Sequence, residues 1–121
     1  MPEHVVVLGA SPKPERYSYK ACAMLSDHGH RVYPVNPYHS DVAGVKCVPS
    51  MAEIAGSVDT VTVYMRGALL RPLMPVLLEL TPNRVIFNPG SEDAALAAEL
   101  EAAGIHCEEA CTLVLLRTGQ Y

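Results

Sequence analysis

Short apolar runs, each stopping at a glycine or an Asn-Pro pair, constrain this chain most. Val5–Leu8 runs into Gly9, Val32–Val35 into Asn36-Pro37, and Arg84–Phe87 into Asn88-Pro89-Gly90. Runs this short and this free of polar alternation match strands buried on both faces. Helical patterns lie between them. Tyr19, Ala23, Met24 and His28 recur at helical spacing, and Gly29 stands where a helix would stop. "DTVTVYM" from Asp59 reads as a third strand. Residues 67–80 read as a helix, with Pro72 and Pro75 in its first turn or at a kink. Ser91 is placed to cap a helix from Glu92 to Ala103 closed by Gly104, and "IHCEEAC" holds a fifth strand. Ser50 and Glu53 have capping-box spacing before a helical turn at Met51–Ala55. The terminal "TLVLL" reads as core or as the contact of a homodimer.

Strands alternating with helices imply right-handed crossovers and a parallel sheet covered on both faces. The expected fold is α/β: a Rossmann-like, doubly wound sheet of about five strands in the order 3-2-1-4-5. A chain of 121 residues suits one domain, residues 1–121. Ligands of such sheets bind outside the carboxyl ends of the strands, where the winding reverses. Those ends are Gly9–Ser11, Asn36–Pro37, Tyr64–Met65 and Asn88–Gly90. A net charge of −4 argues against non-specific nucleic-acid binding. No apolar run is long enough for a membrane helix, and the N-terminus has no charged-then-apolar leader, so the expected location is cytoplasmic. The cysteines at 22, 47, 107 and 111 form no C-x-x-C pair and read as reduced thiols.

The first turn, "VLGASPKPERYS", has the strand–glycine–helix order of a phosphate site but lacks G-x-G-x-x-G: Ser11 and Pro14 stand at the second and third glycine positions. A helix start favours anions, and Ser11, Lys13, Arg16 and Lys20 add a hydroxyl and cations, Arg16 with a fork for two phosphate oxygens. Pro12 and Pro14 remove two N–H donors. These residues leave two readings open, a phosphate site or a tight connection with a capping serine. Asn36 is the better discriminator. An NAD-binding unit places Asp or Glu at the end of its second strand to hold the ribose hydroxyls, and here Asn36 occupies that place. A nucleotide with a phosphorylated ribose would avoid a carboxylate there.

With "VLGASPKPERYS", "GHRVYPVNP", "VDTVTVYM", "RVIFNPGSED" and "ACTLVLL" in view, the chain resembles the CoA-binding domain family along essentially its whole length. These are small stand-alone proteins similar to the nucleotide domain of the succinyl-CoA synthetase α subunit. The resemblance implies coenzyme A or an acyl-CoA as ligand. Gly9, Ala10 and Ser11, with Ser18 downstream, would face the diphosphate, and Lys13 or Arg16 would neutralise it. Val35, Asn36 and Pro37 would border the adenosine part, and Tyr64 and Met65 the nucleotide or pantetheine. Asn88, Pro89 and Gly90 would line the far side near the pantetheine arm. Asn88 departs from the Gln or Glu more common there.

The resemblance supplies no reaction, and no catalytic residue is assigned. His106, Cys107, Glu108, Glu109 and Cys111 match no closed zinc pattern, so no metal is expected. His4, His28, His30 and His39 have no nucleophile at a readable spacing, and G-x-S-x-G is absent. Arg66 reads equally as a phosphate ligand and as a solvated residue. Cys111, at the ligand side, is an inert packed thiol or a partner for the coenzyme A thiol. The reading is a binding module for a small nucleotide ligand. An NAD(P)-dependent oxidoreductase or subunit, and a regulatory subunit with a decayed site, are the alternatives.

Overall fold

The computed structural model describes residues 2–121. Five parallel strands form the sheet: β1 (His4–Leu8), β2 (Arg31–Val35), β5 (Thr60–Val63), β6 (Arg84–Phe87) and β7 (His106–Glu109). A hairpin, β3 (Asp41–Val42) and β4 (Val45–Lys46), leaves the end of β2. The helices are α1 (Tyr17–Asp27), α2 (Gly67–Leu70), α3 (Met74–Leu80), α4 (Ala94–Ala102) and α5 (Thr112–Arg117), with 3-10 turns at Met51–Glu53 and Arg71–Leu73. The α/β, doubly wound expectation holds. Strand alternation divides the core: Val5 and Val7 pack under α1 and α5, while Val6 and Leu8 face α3 and α4.

The strand order differs from expectation. It is β2-β1-β5-β6-β7, which in chain order of the sheet strands reads 2-1-3-4-5 in place of 3-2-1-4-5. Pro34 supplies the physical reason. Val48 N–H donates to the Pro34 carbonyl at 2.9 Å and Asn36 N–H to the Val48 carbonyl at 3.0 Å, so residues 34 and 36 turn their backbone groups away from β1. A proline there has no N–H to offer a further strand, and β2 is confined to the sheet edge. The third strand therefore pairs with β1, Val5 opposite Thr60 through Leu8 opposite Val63. The reversal point falls between the ends of β1 and β5.

Three local expectations are also corrected. Residues 67–80 break into α2, a 3-10 turn and α3, because Pro72 and Pro75 each open a new element. The helix after β6 starts at Ala94, capped by Asp93, whose carboxylate accepts Leu96 N–H at 3.0 Å. Ser91 is instead buried, its hydroxyl donating to the carbonyls of Asn88 (2.7 Å) and Val63 (3.1 Å). The terminal apolar segment is α5: Leu113 and Leu116 are buried in the chain's own core, and Val114 faces out. At the amino ends of the strands, Arg84 donates to Thr60 Oγ1 (2.9 Å) and Glu108 (3.2 Å) and lies 4.5 Å over the Tyr121 ring. Ionic side chains close that end and leave the carboxyl end for a ligand.

Gly67 opens α2 where the Asp93 carboxylate sits, and a Cβ at 67 would overlap that carboxylate. Gly67→Ala is expected to expel Asp93 from its cap and cost about 1 kcal/mol. In an Asp93→Ala background, where only the Cβ of residue 93 remains close at 3.1 Å, the same substitution should cost less. A double-mutant cycle by urea denaturation measures this coupling, and additive effects would refute it.

Candidate functional site

The site is built on one close approach. Gly9 leaves β1 with φ +87°, and a Cβ on it would stand 3.0 Å from the Tyr64 carbonyl oxygen. Only glycine meets both demands. Clefts open on either side of Gly9. A polar one of about 560 Å³ is lined by Ser11, Lys13, Arg16, Ser18 and Tyr64, with Glu15 and Tyr17 at its rim. An apolar one of about 380 Å³ is lined by Val35, Pro37, Met51, Met65, Leu73 and Val76.

In the polar cleft the backbone donors are partly spent. Ser11 N–H donates to Ser18 Oγ at 3.1 Å and Lys13 N–H to Ser11 Oγ at 3.2 Å, while Pro12 and Pro14 have no N–H. The amides opening α1 have no partner inside their helix and give this end a partial positive charge. Lys13 and Arg16 are exposed beside them. Lys20 lies one turn on, its Nζ 5.5 Å from the Tyr17 ring centroid. Tyr64 forms the inner wall. Burial pushes its hydroxyl above the ordinary tyrosine range, partly offset by the Thr112 and Thr62 hydroxyls. The arrangement suits a diphosphate gripped by hydroxyls, a helix start and mobile cations.

The expected site residues divide into those at the clefts and those behind them. Gly9, Ser11, Lys13, Arg16, Ser18 and Tyr64 surround the polar cleft. Ala10, Val35, Asn36, Pro37 and Met65 lie at the apolar one. The Asn36 side chain is engaged within the protein: Nδ2 donates to the Ala10 carbonyl at 2.9 Å, and Oδ1 accepts Tyr38 N–H (2.8 Å) and His39 N–H (3.2 Å). Asn88, Pro89 and Gly90 line neither cleft. Asn88 is buried, donating to Thr62 Oγ1 (2.7 Å) and the Val63 carbonyl (2.9 Å) and accepting Thr112 N–H (2.9 Å). It ties β5 and β6 to the start of α5, supplying a partner to a helix amide that would otherwise lack one. Arg66 is exposed and lines neither cleft.

The sequence reading missed the far wall of the apolar cleft, Met51, Leu73 and Val76, and the exposed Tyr38 at its lip. The available signal was Met65 at a strand end on the ligand side, with Met51 in the connection that leads back from β2. Among the described residues no group of three or more His, Cys, Asp or Glu side chains is placed to hold a metal ion.

A family model described as a CoA binding domain matches residues 3–117. The chain belongs to the CoA binding domain family. Membership supports coenzyme A, a small-molecule ligand, in general terms. The chain is 35% identical over 77 residues to YneT of Bacillus subtilis, a match covering 64% of this chain and 57% of YneT. It is 41% identical over 59 residues to the α subunit of ADP-forming acetate–CoA ligase II of Pyrococcus furiosus, covering 48% of this chain and 13% of that subunit. The matches thus span little more than half of YneT and a small part of the ligase subunit. Among solved structures, an uncharacterized protein with 37% identity superposes with a TM-score of 0.93 over 100% of this chain and 99% of its own. A hypothetical protein from Pyrococcus horikoshii OT3 superposes at 0.87 with 27% identity, covering 94% and 81%. The dinucleotide-forming acetyl-coenzyme A synthetase 1 of Ca. Korarchaeum cryptofilum, at 19% identity and 0.74, shares the fold over 88% of this chain and 25% of its own.

Burial holds the Cys22, Cys47 and Cys107 thiols of this CoA binding domain above the ordinary thiol range. Burial, followed by the nearby Cys47, pushes Cys22 up to about 12 from 9.0. Burial, followed by Glu101, pushes Cys107 up to about 11. Cys111 stands half-buried at the start of α5. A raised folded-state value means that the unfolded chain loses its proton first, so this contribution is intact below pH 8 and falls as pH rises from 9 towards 12. Cys22 alone should lower stability by on the order of 1 kcal/mol between pH 8 and pH 10. Urea midpoints across that range should fall, and Cys22→Ala should make the fall shallower; an unchanged slope would contradict the assignment.

Proposed function

We propose that residues 1–121 form one binding unit for coenzyme A, seated across the carboxyl ends of β1, β2 and β5. The diphosphate lies at the Gly9–Ser11 turn and the start of α1, neutralised by Arg16 and Lys13. The adenosine half enters the apolar cleft between Val35–Pro37 and Met65, with Met51 and Val76 behind it. The observation that carries this reading is the pairing of a polar, cation-rimmed cleft with an apolar one at a single glycine. A nucleotide with a long pantetheine arm has both characters. The end of β2 carries Asn36, whose oxygen is already bonded to two backbone amides, so nothing there holds ribose hydroxyls as an NAD site does.

Binding without a reaction of its own fits the commitments of the polar side chains around the site. Ser18, Asn36, Asn88 and Thr62 each hold backbone or a neighbouring polar side chain. An acyl-CoA would present the same adenosine and diphosphate to these residues, so the proposal covers coenzyme A and acyl-CoA alike. Among the described residues no helix is long and apolar enough to cross a membrane.

Thermal unfolding with coenzyme A, dephospho-coenzyme A, NAD and NADP at matched concentrations tests the reading. Coenzyme A at 100 times its Kd should stabilise by about 2.7 kcal/mol, with a smaller effect from dephospho-coenzyme A and none from NAD. Arg16→Ala should weaken coenzyme A about tenfold by calorimetry with little change in the unliganded melting point. Stabilisation by NADP alone would overturn the proposal.

A further inference from the structure

We infer that Asn36 is a positioning residue for anion recognition, acting through the Ala10–Ser11 peptide without touching the ligand; this rests on the coenzyme A reading of the cleft. A trans peptide points its C=O and N–H in opposite directions. Here both ends of one peptide are held: the Ala10 carbonyl accepts Asn36 Nδ2 at 2.9 Å, and Ser11 N–H donates to Ser18 Oγ at 3.1 Å. The Asn36 amide has one orientation available. Its oxygen already accepts Tyr38 and His39 N–H, so its NH2 must face Ala10.

The consequence lies in the hydroxyl protons. Ser18 is 4% exposed and lines the polar cleft, and its Oγ is occupied by the Ser11 amide. Ser11 Oγ is occupied in the same way by Lys13 N–H. Neither hydroxyl donates to a protein acceptor among the described residues, and both line the cleft beside Lys13 and Arg16, so each proton is free to turn to an anion there. They stand in for the amides that a glycine-rich turn would present and that Ser11, Pro12 and Pro14 do not. Turning the Ala10–Ser11 peptide over would release Ser18 and Ser11 together. A carboxylate at position 36 would do this, because it sets an oxygen against the Ala10 carbonyl oxygen. That excludes an acid here by a route independent of any ribose phosphate.

Backbone amide exchange of the ligand-free protein, read by NMR as protection factors from pH 5 to pH 7.5, tests the clamp, with calorimetric titration of coenzyme A alongside. The Ser11 amide should be protected in the wild type. In Asn36→Asp it should lose protection at pH 7.5, with affinity for coenzyme A down about tenfold. The Ser11 amide of this variant should stay exposed at pH 5 as well, because a carboxylate accepting the Tyr38 and His39 amides is still ionised there. Asn36→Ala, which removes the donor to Ala10 without adding a charge, should likewise expose the Ser11 amide and weaken coenzyme A, and decides the matter if Asn36→Asp does not fold. Affinity lost with Ser11 still protected would overturn the inference and make Asn36 a direct contact. Protected Ser11 in a wild type that binds no coenzyme A would instead overturn the ligand reading, and the anion role of the clamp with it.

Discussion

The contact between Gly9 and the backbone of Tyr64 is the constraint on which the site depends. It exists because β5 pairs with β1, bringing the ends of two central strands within van der Waals distance. A side chain on residue 9 would wedge those ends apart and move the Ala10–Ser11 peptide from its two anchors. Gly9 also lines both clefts, so a side chain there would intrude on the pocket. The glycine thus serves the packing of the sheet and the shape of the pocket at once.

Around that contact two asparagines, one half-buried and one buried, place backbone. Asn36 joins the loop after β2 to the turn after β1, and Asn88 joins β5, β6 and α5. Both are amides, able to donate and accept at one site, which a carboxylate cannot do at neutral pH. Each stands at a strand end where three chain segments meet, and both ask for a donor and an acceptor together. The groups left for a ligand are those without such duties: exposed cations, hydroxyl protons, the start of α1 and a wall of apolar side chains.

The opposite end of the sheet is organised differently. Arg84 is paired with Glu108 and Thr60 and covered by Tyr121, so charge there is satisfied within the protein. Charge at the ligand end is largely unpaired: Lys13 and Arg16 are exposed beside the helix start. A folded domain can carry such groups where solvent screens them, and an anion that displaces that solvent gains their attraction in a less polar setting.

Much of this was legible in the chain itself. The buried strands, the turn at Gly9, the helix after it and the cations beside it follow from local patterns, because short β-branched runs, glycine and proline act on their immediate neighbours. The strand order was not read from the chain: Pro34 marks an edge strand, but its meaning depends on which edge of β2 the missing N–H faces, and the pairing of β5 with β1 shows that. Three things were decided by the tertiary structure. Asn36 and Asn88 read locally as strand-end residues near a ligand, and only the fold brings Ala10 and Thr112 within their reach. The wall of Met51, Leu73 and Val76 forms where separate connections converge across the sheet. Direction was decided there as well: a sequence names the donors at a turn, but which of them face a ligand depends on partners distant along the chain.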